Sequence, residues 1–181
     1  MDLLDIPHLA WHLSGGTTEL LLVEPEGANV RCTRIGGTTD ISAGQLIDRT
    51  GQLLELPFPS GKHLDQLAAD AMGKEVFRVK HQNLEFSLSG VQNKVQQFYV
   101  KCSNREETAA YALRCVCNAV YQVTQEALTR YPGYRVVFSG GVASNSMLRK
   151  ALAPLCPIFS EPQYATDNAM GVAVLAHRIK E

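Results

Sequence analysis

Apolar and polar positions alternate along the first third of the chain and then recur at helical spacing over most of the remainder. The runs at 8–13 (HLAWHL), 19–23 (ELLLV) and 28–35 (ANVRCTRI) are short and apolar or alternating. They are separated by SGGT and the turn-rich EPEG, and together predict three consecutive antiparallel strands. From Ala43 to Leu54 the residues Leu46, Ile47, Thr50, Leu53 and Leu54 share one helical face, and the pattern stops at the PFPSG stretch of 57–61. A second helix begins near Lys62 and continues through HLDQLAADAM. Residues 76–88 read as extended and 90–99 as helical. The longest helical pattern runs from Glu106 to Arg130, with Ala110, Leu113, Cys117, Val120, Thr124 and Leu128 on one stripe. A buried strand at 135–138, a helix at 144–152, a brief strand at 157–159 and a closing helix at 167–179 complete the order. This order predicts an α/β domain with a mixed five-stranded sheet and helices on both faces, and it matches a ribonuclease-H-like lobe.

A chain of 181 residues can bury one sizeable core, and residues 1–181 are expected to form a single domain. No apolar run approaches the roughly 18 residues a membrane span requires. The start of the chain carries Asp2 and Asp5 and no basic segment, so it does not read as a secretory signal, and a cytoplasmic protein without membrane association is expected. Five scattered cysteines with no C-x-x-C pair suit buried free thiols in a reducing compartment. The formal net charge of -1 supplies no global basic field for nucleic acid. RNA, if a substrate, would need contacts from a larger assembly.

Four stretches carry candidate chemistry. Two glycine pairs stand at predicted strand ends, in LSGGTT (13–18) and FSGGVASN (138–145). Without a β-carbon, such residues let backbone amides approach an anion, and equally make tight turns. The second pair also leads into a helix, whose N-terminus favours negative charge. In GGTTDISAGQLID (36–48), Asp48 follows Ile47 and points away from the core, either as a solvated helix charge or as an acceptor for ribose hydroxyls. In YATDNAM (164–170), Thr166 suits an N-cap and Asp167 the first turn. A carboxylate there is stabilised by the helix end and is also a usual ligand for a hard divalent cation.

Taken together, LSGGTT, GGTTDISAGQLIDR, FPSGKHLD, FSLSG (86–90), GGVASN and ATDNA resemble, in order and context, the C-terminal half of the TsaD (Gcp, "glycoprotease") family, from Pro7 to Ala176. The resemblance implies one lobe of the actin, sugar-kinase and chaperone ATPase superfamily. It implies binding of ATP or threonylcarbamoyl-adenylate and transfer of the threonylcarbamoyl group to adenosine 37 of tRNA. It places Ser14, Gly15, Gly16 and Thr17 at the phosphate or acyl-adenylate site, Asp48, Gly61, Asp65 and Asn145 around the adenosine, and Asp167 on a divalent metal such as Fe, Zn or Mg. The implied partners are a nucleotide, the preceding lobe or another actin-like subunit, a possible second copy, and tRNA through a larger assembly.

Several positions depart from the family pattern. Thr17 stands for a histidine, Ile41 for a second aspartate, Gln45 for a glutamate and Gln92 for a lysine. His8 and His12 have metal-ligand spacing for a helix, but on a strand four residues span roughly 13 Å, too far to share one ion. The lobe is expected to be inactive alone. A non-catalytic binding or scaffold module of the same fold is the alternative reading, while the older metallopeptidase reading of the family has no supporting motif: H-E-x-x-H is absent. The FSLSG stretch suits either a loop near the cleft or a serine-rich helix start.

Overall fold

The computed structural model describes residues 3–164 and 168–180. Three antiparallel strands come first: β1 (His8–Leu13), β2 (Thr18–Glu26) and β3 (Asn29–Thr38). Helices α1 (Ala43–Leu53) and α2 (Gly61–Ala68) follow, then a small hairpin of β4 (His81–Gln82) and β5 (Glu85–Phe86). Helices α3 (Ser89–Cys102) and α4 (Arg105–Arg130) lead to β6 (Val136–Ser139), α5 (Ser146–Leu152), β7 (Ile158–Phe159) and α6 (Asn168–Lys180). The sheet has seven strands in the order β4-β5-β3-β2-β1-β6-β7, rather than the expected five. The two added strands are two residues each. Asn83 and Leu84 both turn through positive φ, 52° and 65°, and fold what reads as one extended segment back on itself. A two-residue turn of this handedness matches the sheet twist, but it is here made without the glycine that usually marks it.

Strand β1 is a central, non-edge strand of the sheet. It pairs antiparallel with β2 (Trp11 opposite Leu20) and parallel with β6 (Trp11 opposite Phe138). Side chains alternate across a strand, so Leu9, Trp11, Leu13, Leu20, Val136 and Phe138 share one face, and each is essentially fully buried. On that face α1, α3, α4 and α5 pack, and Trp11 donates from Nε1 to Thr124 Oγ1 of α4 at 2.9 Å. A second apolar cluster joins Ile47 and Leu54 of the α1 region, Leu64 of α2, and Ala109, Ala110 and Leu113 of α4. The long helix α4 therefore touches both clusters, which explains its broad apolar surface. Residues of the opposite sheet face, among them Ala10, His12, Leu21 and Val137, are half-buried. Helix α6 lies against β3, and its Arg178 pairs with Asp5 at 2.6 Å.

Among the described residues no helix is long and apolar enough to cross a membrane. The five cysteines are free, but only Cys115 and Cys117 are buried; Cys32, Cys102 and Cys156 are exposed, because they fall on a sheet edge and at helix ends. Burial pushes the Cys115 thiol up to about 11, which keeps it protonated and unreactive.

Candidate functional site

Strands β1 and β6 run parallel side by side, and in open α/β sheets the carboxyl ends of such strands are where the chain leaves room for a ligand. Beyond β1 lies the turn Ser14–Thr17. Ser14 N donates to the Thr17 carbonyl at 2.8 Å and Thr17 N donates back to Ser14 Oγ at 3.0 Å. Beyond β6 lies Gly140 at φ +92°, and a β-carbon there would sit 2.2 Å from the Leu13 carbonyl oxygen. Glycine is thus required by both dihedral and space, and it lets the two loops close on each other. Helix α1 comes equally near: a β-carbon on Gly44 would lie 2.5 Å from Gly15 Cα.

These loops, α1 and α2 enclose a cavity of about 490 Å³. Five of the residues expected at the site, Gly15, Asp48, Gly61, Asp65 and Asn145, line it together. Ser14, Gly16 and Thr17 belong to the adjoining turn and do not line it, and Asp167 lies outside the described residues. Gly15, Gly16 and Gly61 have nothing within 4 Å of a notional β-carbon, so they leave space where Gly140 and Gly44 fill it. Sequence reasoning missed Ile47, Pro59 and Val142, whose apolar surfaces suit a flat ring, and Lys62, which brings a cation to the cavity. All four lie inside the recognised motifs, so position within a motif was the only signal available.

The polar lining residues also hold the scaffold. Asp48 Oδ1 accepts the Ser60 amide at 2.8 Å and fixes the loop before α2. Asp65 accepts both the amide and the hydroxyl of Ser146 at 2.9 Å, and Asn145 Oδ1 accepts the Leu148 amide at 2.9 Å. The start of α5 is therefore already capped by a carboxylate and an amide, and the negative charge suggested for that helix end is Asp65 itself. Asp48 Oδ2 and Asn145 Nδ2 have no partner among the described residues and remain able to bind a ligand. Among the described residues no three His, Cys, Asp or Glu side chains cluster to hold a metal, and Asp167, the expected ligand, lies outside them. His8 bonds the Ile6 carbonyl and His12 faces Ser139 Oγ, both from strand β1.

Residues 2–174 match the profile of the TsaD family, described as tRNA N6-adenosine threonylcarbamoyltransferase. The chain belongs to this family. It is 34% identical over 161 residues to such a protein of Streptococcus suis, covering 83% of this chain and 46% of the relative. It is 33% identical over 184 residues to that of Aster yellows witches'-broom phytoplasma, covering 94% and 65%. The chain spans about half the length of most of the curated relatives it matches. Among solved structures, it superposes on HypF of T. kodakarensis at TM-score 0.58 with 18% identity, over 83% of this chain and 20% of that one. It superposes on the ADPNP-bound activator of the 2-hydroxyisocaproyl-CoA dehydratase of Clostridium difficile at 0.60 with 17% identity, over 97% and 62%. These likenesses show that the mixed α/β fold is shared with those proteins.

Two of the four substituted positions, Gln45 and Gln92, have local explanations. Gln45 completes a capping box on α1: its Oε1 accepts the Ser42 amide at 3.1 Å while Ser42 Oγ accepts the Gln45 amide at 3.0 Å, a role that glutamine and glutamate share. Gln92 Oε1 accepts from Arg49 at 2.7 Å, where a lysine would meet a second cation. The FSLSG stretch is explained by Asp40. Asp40 Oδ2 accepts the hydroxyls of Ser87 at 2.5 Å and Ser89 at 2.6 Å, and Oδ1 accepts the amides of Leu88 and Ile41, each at 2.8 Å. This carboxylate ties the β3–α1 connection to the start of α3. Two residues on, Ser42 Oγ donates to the Gly15 carbonyl at 2.6 Å, so the same connection holds the turn at the cavity.

Partial burial of Asp40 opposes its ionisation, but the serine hydroxyls and the Leu88 and Ser89 amides outweigh it and hold the carboxyl well below the usual carboxylate range. A depressed folded-state pKa contributes stability that is present above the unfolded value, near about 3.9, and is lost as pH falls through the folded one. Asp40→Asn is therefore expected to lower the urea midpoint at pH 7, with the gap to the parent narrowing as pH drops below about 4. Parallel denaturation series at pH 7 and pH 3 read this directly; a gap independent of pH would assign the loss to shape alone.

Proposed function

We propose that this chain supplies the nucleotide-holding side of a threonylcarbamoyl transfer to adenosine in tRNA. The observation that carries the reading is the convergence of five residues from four separate motifs on one cavity. In this arrangement the adenine ring of ATP or threonylcarbamoyl-adenylate lies against Ile47, Pro59 and Val142. Asp48 and Asp65 accept from ribose hydroxyls, and the Asn145 amide group donates to the ligand. The phosphate passes over Gly15 and Gly16, where backbone approach is unobstructed, with Lys62 as counter-charge. Transfer then consists of attack by the acceptor adenosine N6 on the carbamoyl carbonyl, with AMP as leaving group, and the chain's contribution is to hold and orient the adenylate.

We assign the chain to the second lobe of the two-lobed enzyme. Its partners are the other lobe or an actin-like subunit, and water is excluded only when that second wall closes. This accounts for an expected lack of turnover by the chain alone. A divalent metal on Asp167 belongs to the same proposal and would polarise phosphate or carbamoyl oxygens; no step above depends on it.

Calorimetric titration with ATP tests the reading. Because a β-carbon at Gly15 meets nothing, Gly15→Val should leave the urea midpoint unchanged and weaken ATP binding at least about tenfold, by filling the space reserved for the ligand. Absence of saturable binding by the parent chain, or equal binding by the variant, would remove the cavity from consideration.

A further inference from the structure

Between α2 and β4, residues 71–80 cross the flank of α4 without regular structure, and side chains of that helix hold their backbone. Glu107 Oε1 accepts the amides of Met72 and Gly73 at 2.8 Å, Arg114 donates to the carbonyls of Gly73 and Glu75, and Asn118 accepts the Val79 amide at 3.3 Å. This strap is thus fixed, while Lys74, Phe77, Arg78 and Lys80 stand exposed on it. Alongside, α3 presents Lys94 over the Phe77 ring at 5.9 Å, and further along the same helical face Phe98 and Lys101. A second cavity of about 460 Å³ lies between them, lined among others by Lys74, Glu75, Phe98 and Lys101, with the Phe98 ring itself stacked on Tyr111 at 4.4 Å. It shares no lining residue with the cleft described above.

The strap and the adjoining cavity carry an excess of cations. Among the described residues Lys74, Arg78 and Lys80 on the strap and Lys101 on α3 have no carboxylate partner, and Lys74 and Lys101 line the cavity itself. Of the two acids at the cavity, Glu107 is engaged by two amides and lies 3.6 Å from Arg114, which leaves Glu75 as the opposing charge. Cations interleaved with aromatic rings along a groove are the pattern that binds single-stranded nucleic acid: cations take the phosphates and rings take bases, with little sequence preference. An acidic polypeptide would use the cations but give the rings no flat partner.

We propose that the groove between the 71–80 strap and α3 binds the backbone and an unstacked base of the RNA on which this chain acts. The proposal rests on the tRNA-directed reading of the cleft, and it adds a second contact surface on a chain whose net charge of -1 gives no general attraction for RNA.

The test is fluorescence anisotropy of labelled tRNA with the 181-residue chain, over a series of salt concentrations. The triple variant Lys74→Glu, Arg78→Glu, Lys80→Glu should bind at least about tenfold more weakly and lower the salt slope by about 2 to 3, while Lys150→Glu on α5 stays within about twofold of the parent. Phe77→Ala should weaken binding with the salt slope unchanged. Circular dichroism identifies any variant that fails to fold, and Phe77→Ala then decides alone. No measurable tRNA binding by the parent, or equal loss in the triple variant and Lys150→Glu, overturns the proposal. So does displacement of tRNA by polyglutamate together with tighter binding of that polymer, which would assign the groove to an acidic protein. ATP titration of the same samples separates the two readings. RNA loss confined to the strap variants with no ATP binding by the parent sinks the cleft reading alone, and ATP binding without RNA binding sinks the groove alone.

Discussion

Trp11→Ala is expected to cost about 3–5 kcal/mol of folding stability, the range for removing a large aromatic side chain from a closed core. Trp11 is fully buried on strand β1, between Phe138, stacked at 6.5 Å, and Phe86 at 6.4 Å, and it donates to Thr124 across the sheet–helix interface. Its removal opens a cavity beneath α4 and takes away the donor to a buried hydroxyl. Thr124 keeps one bond, because its Oγ1 donates to the Val120 carbonyl at 2.6 Å. A domain of this size has about 5–15 kcal/mol in total, so the variant should retain only a small margin. Trp11→Phe should cost about 1–3 kcal/mol, because it keeps most of the contact area and loses mainly the hydrogen bond. Urea unfolding followed by far-UV circular dichroism measures both; tryptophan emission cannot serve, since Trp11 is the only tryptophan. A loss below about 1 kcal/mol for the alanine variant would mean that the core relaxes around the gap.

Gly140→Ala is expected to cost about 3 kcal/mol or more and to abolish ATP binding, the second large effect. Two causes add at this position. The backbone sits at φ +92°, and the new β-carbon would lie 2.2 Å from the oxygen and 2.6 Å from the carbon of the Leu13 carbonyl. These are backbone atoms of β1, so relief requires the end of that strand or the whole 140–145 loop to move. Gly133 provides the comparison. It has φ +83° with nothing within 4 Å, so Gly133→Ala feels the dihedral strain alone, about 1–2 kcal/mol. The difference between the two variants isolates the loop–strand contact that shapes the cavity. Equal losses would show that contact to be of no consequence and would weaken the geometry assigned to the cleft.

Local pattern exposed most of the regular structure, and its failures have physical causes. The helix at 106–130 was legible because its apolar stripe repeats over many turns, and it is found at Arg105–Arg130. The hairpin of β4 and β5 was not, because two-residue strands are too short to alternate and Asn83-Leu84 lacks a turn glycine. At the site, the two glycine pairs were visible, but their different duties were not. Only coordinates distinguish Gly15, which leaves space, from Gly140, which fills it. Gln45 and Gln92 read as lost chemistry in the sequence and turn out to complete a helix cap and to accept from an arginine. Asp40 stood in plain view between Thr39 and Ile41, yet its partners Ser87 and Ser89 are more than forty positions away.

The sequence by itself determined the order of the longer strands and helices and the family to which the chain belongs. Each of these follows from local periodicity or from motifs whose residues are contiguous. Tertiary structure alone decided which motifs meet: the turn after β1, the start of α1, α2 and the loop after β6 enclose one cavity, and the strap and α3 form another. The reason is that convergence depends on parallel pairing of β1 with β6 and on close backbone approaches at Gly44 and Gly140. Such contacts join positions distant in the chain and leave no period in the sequence to read.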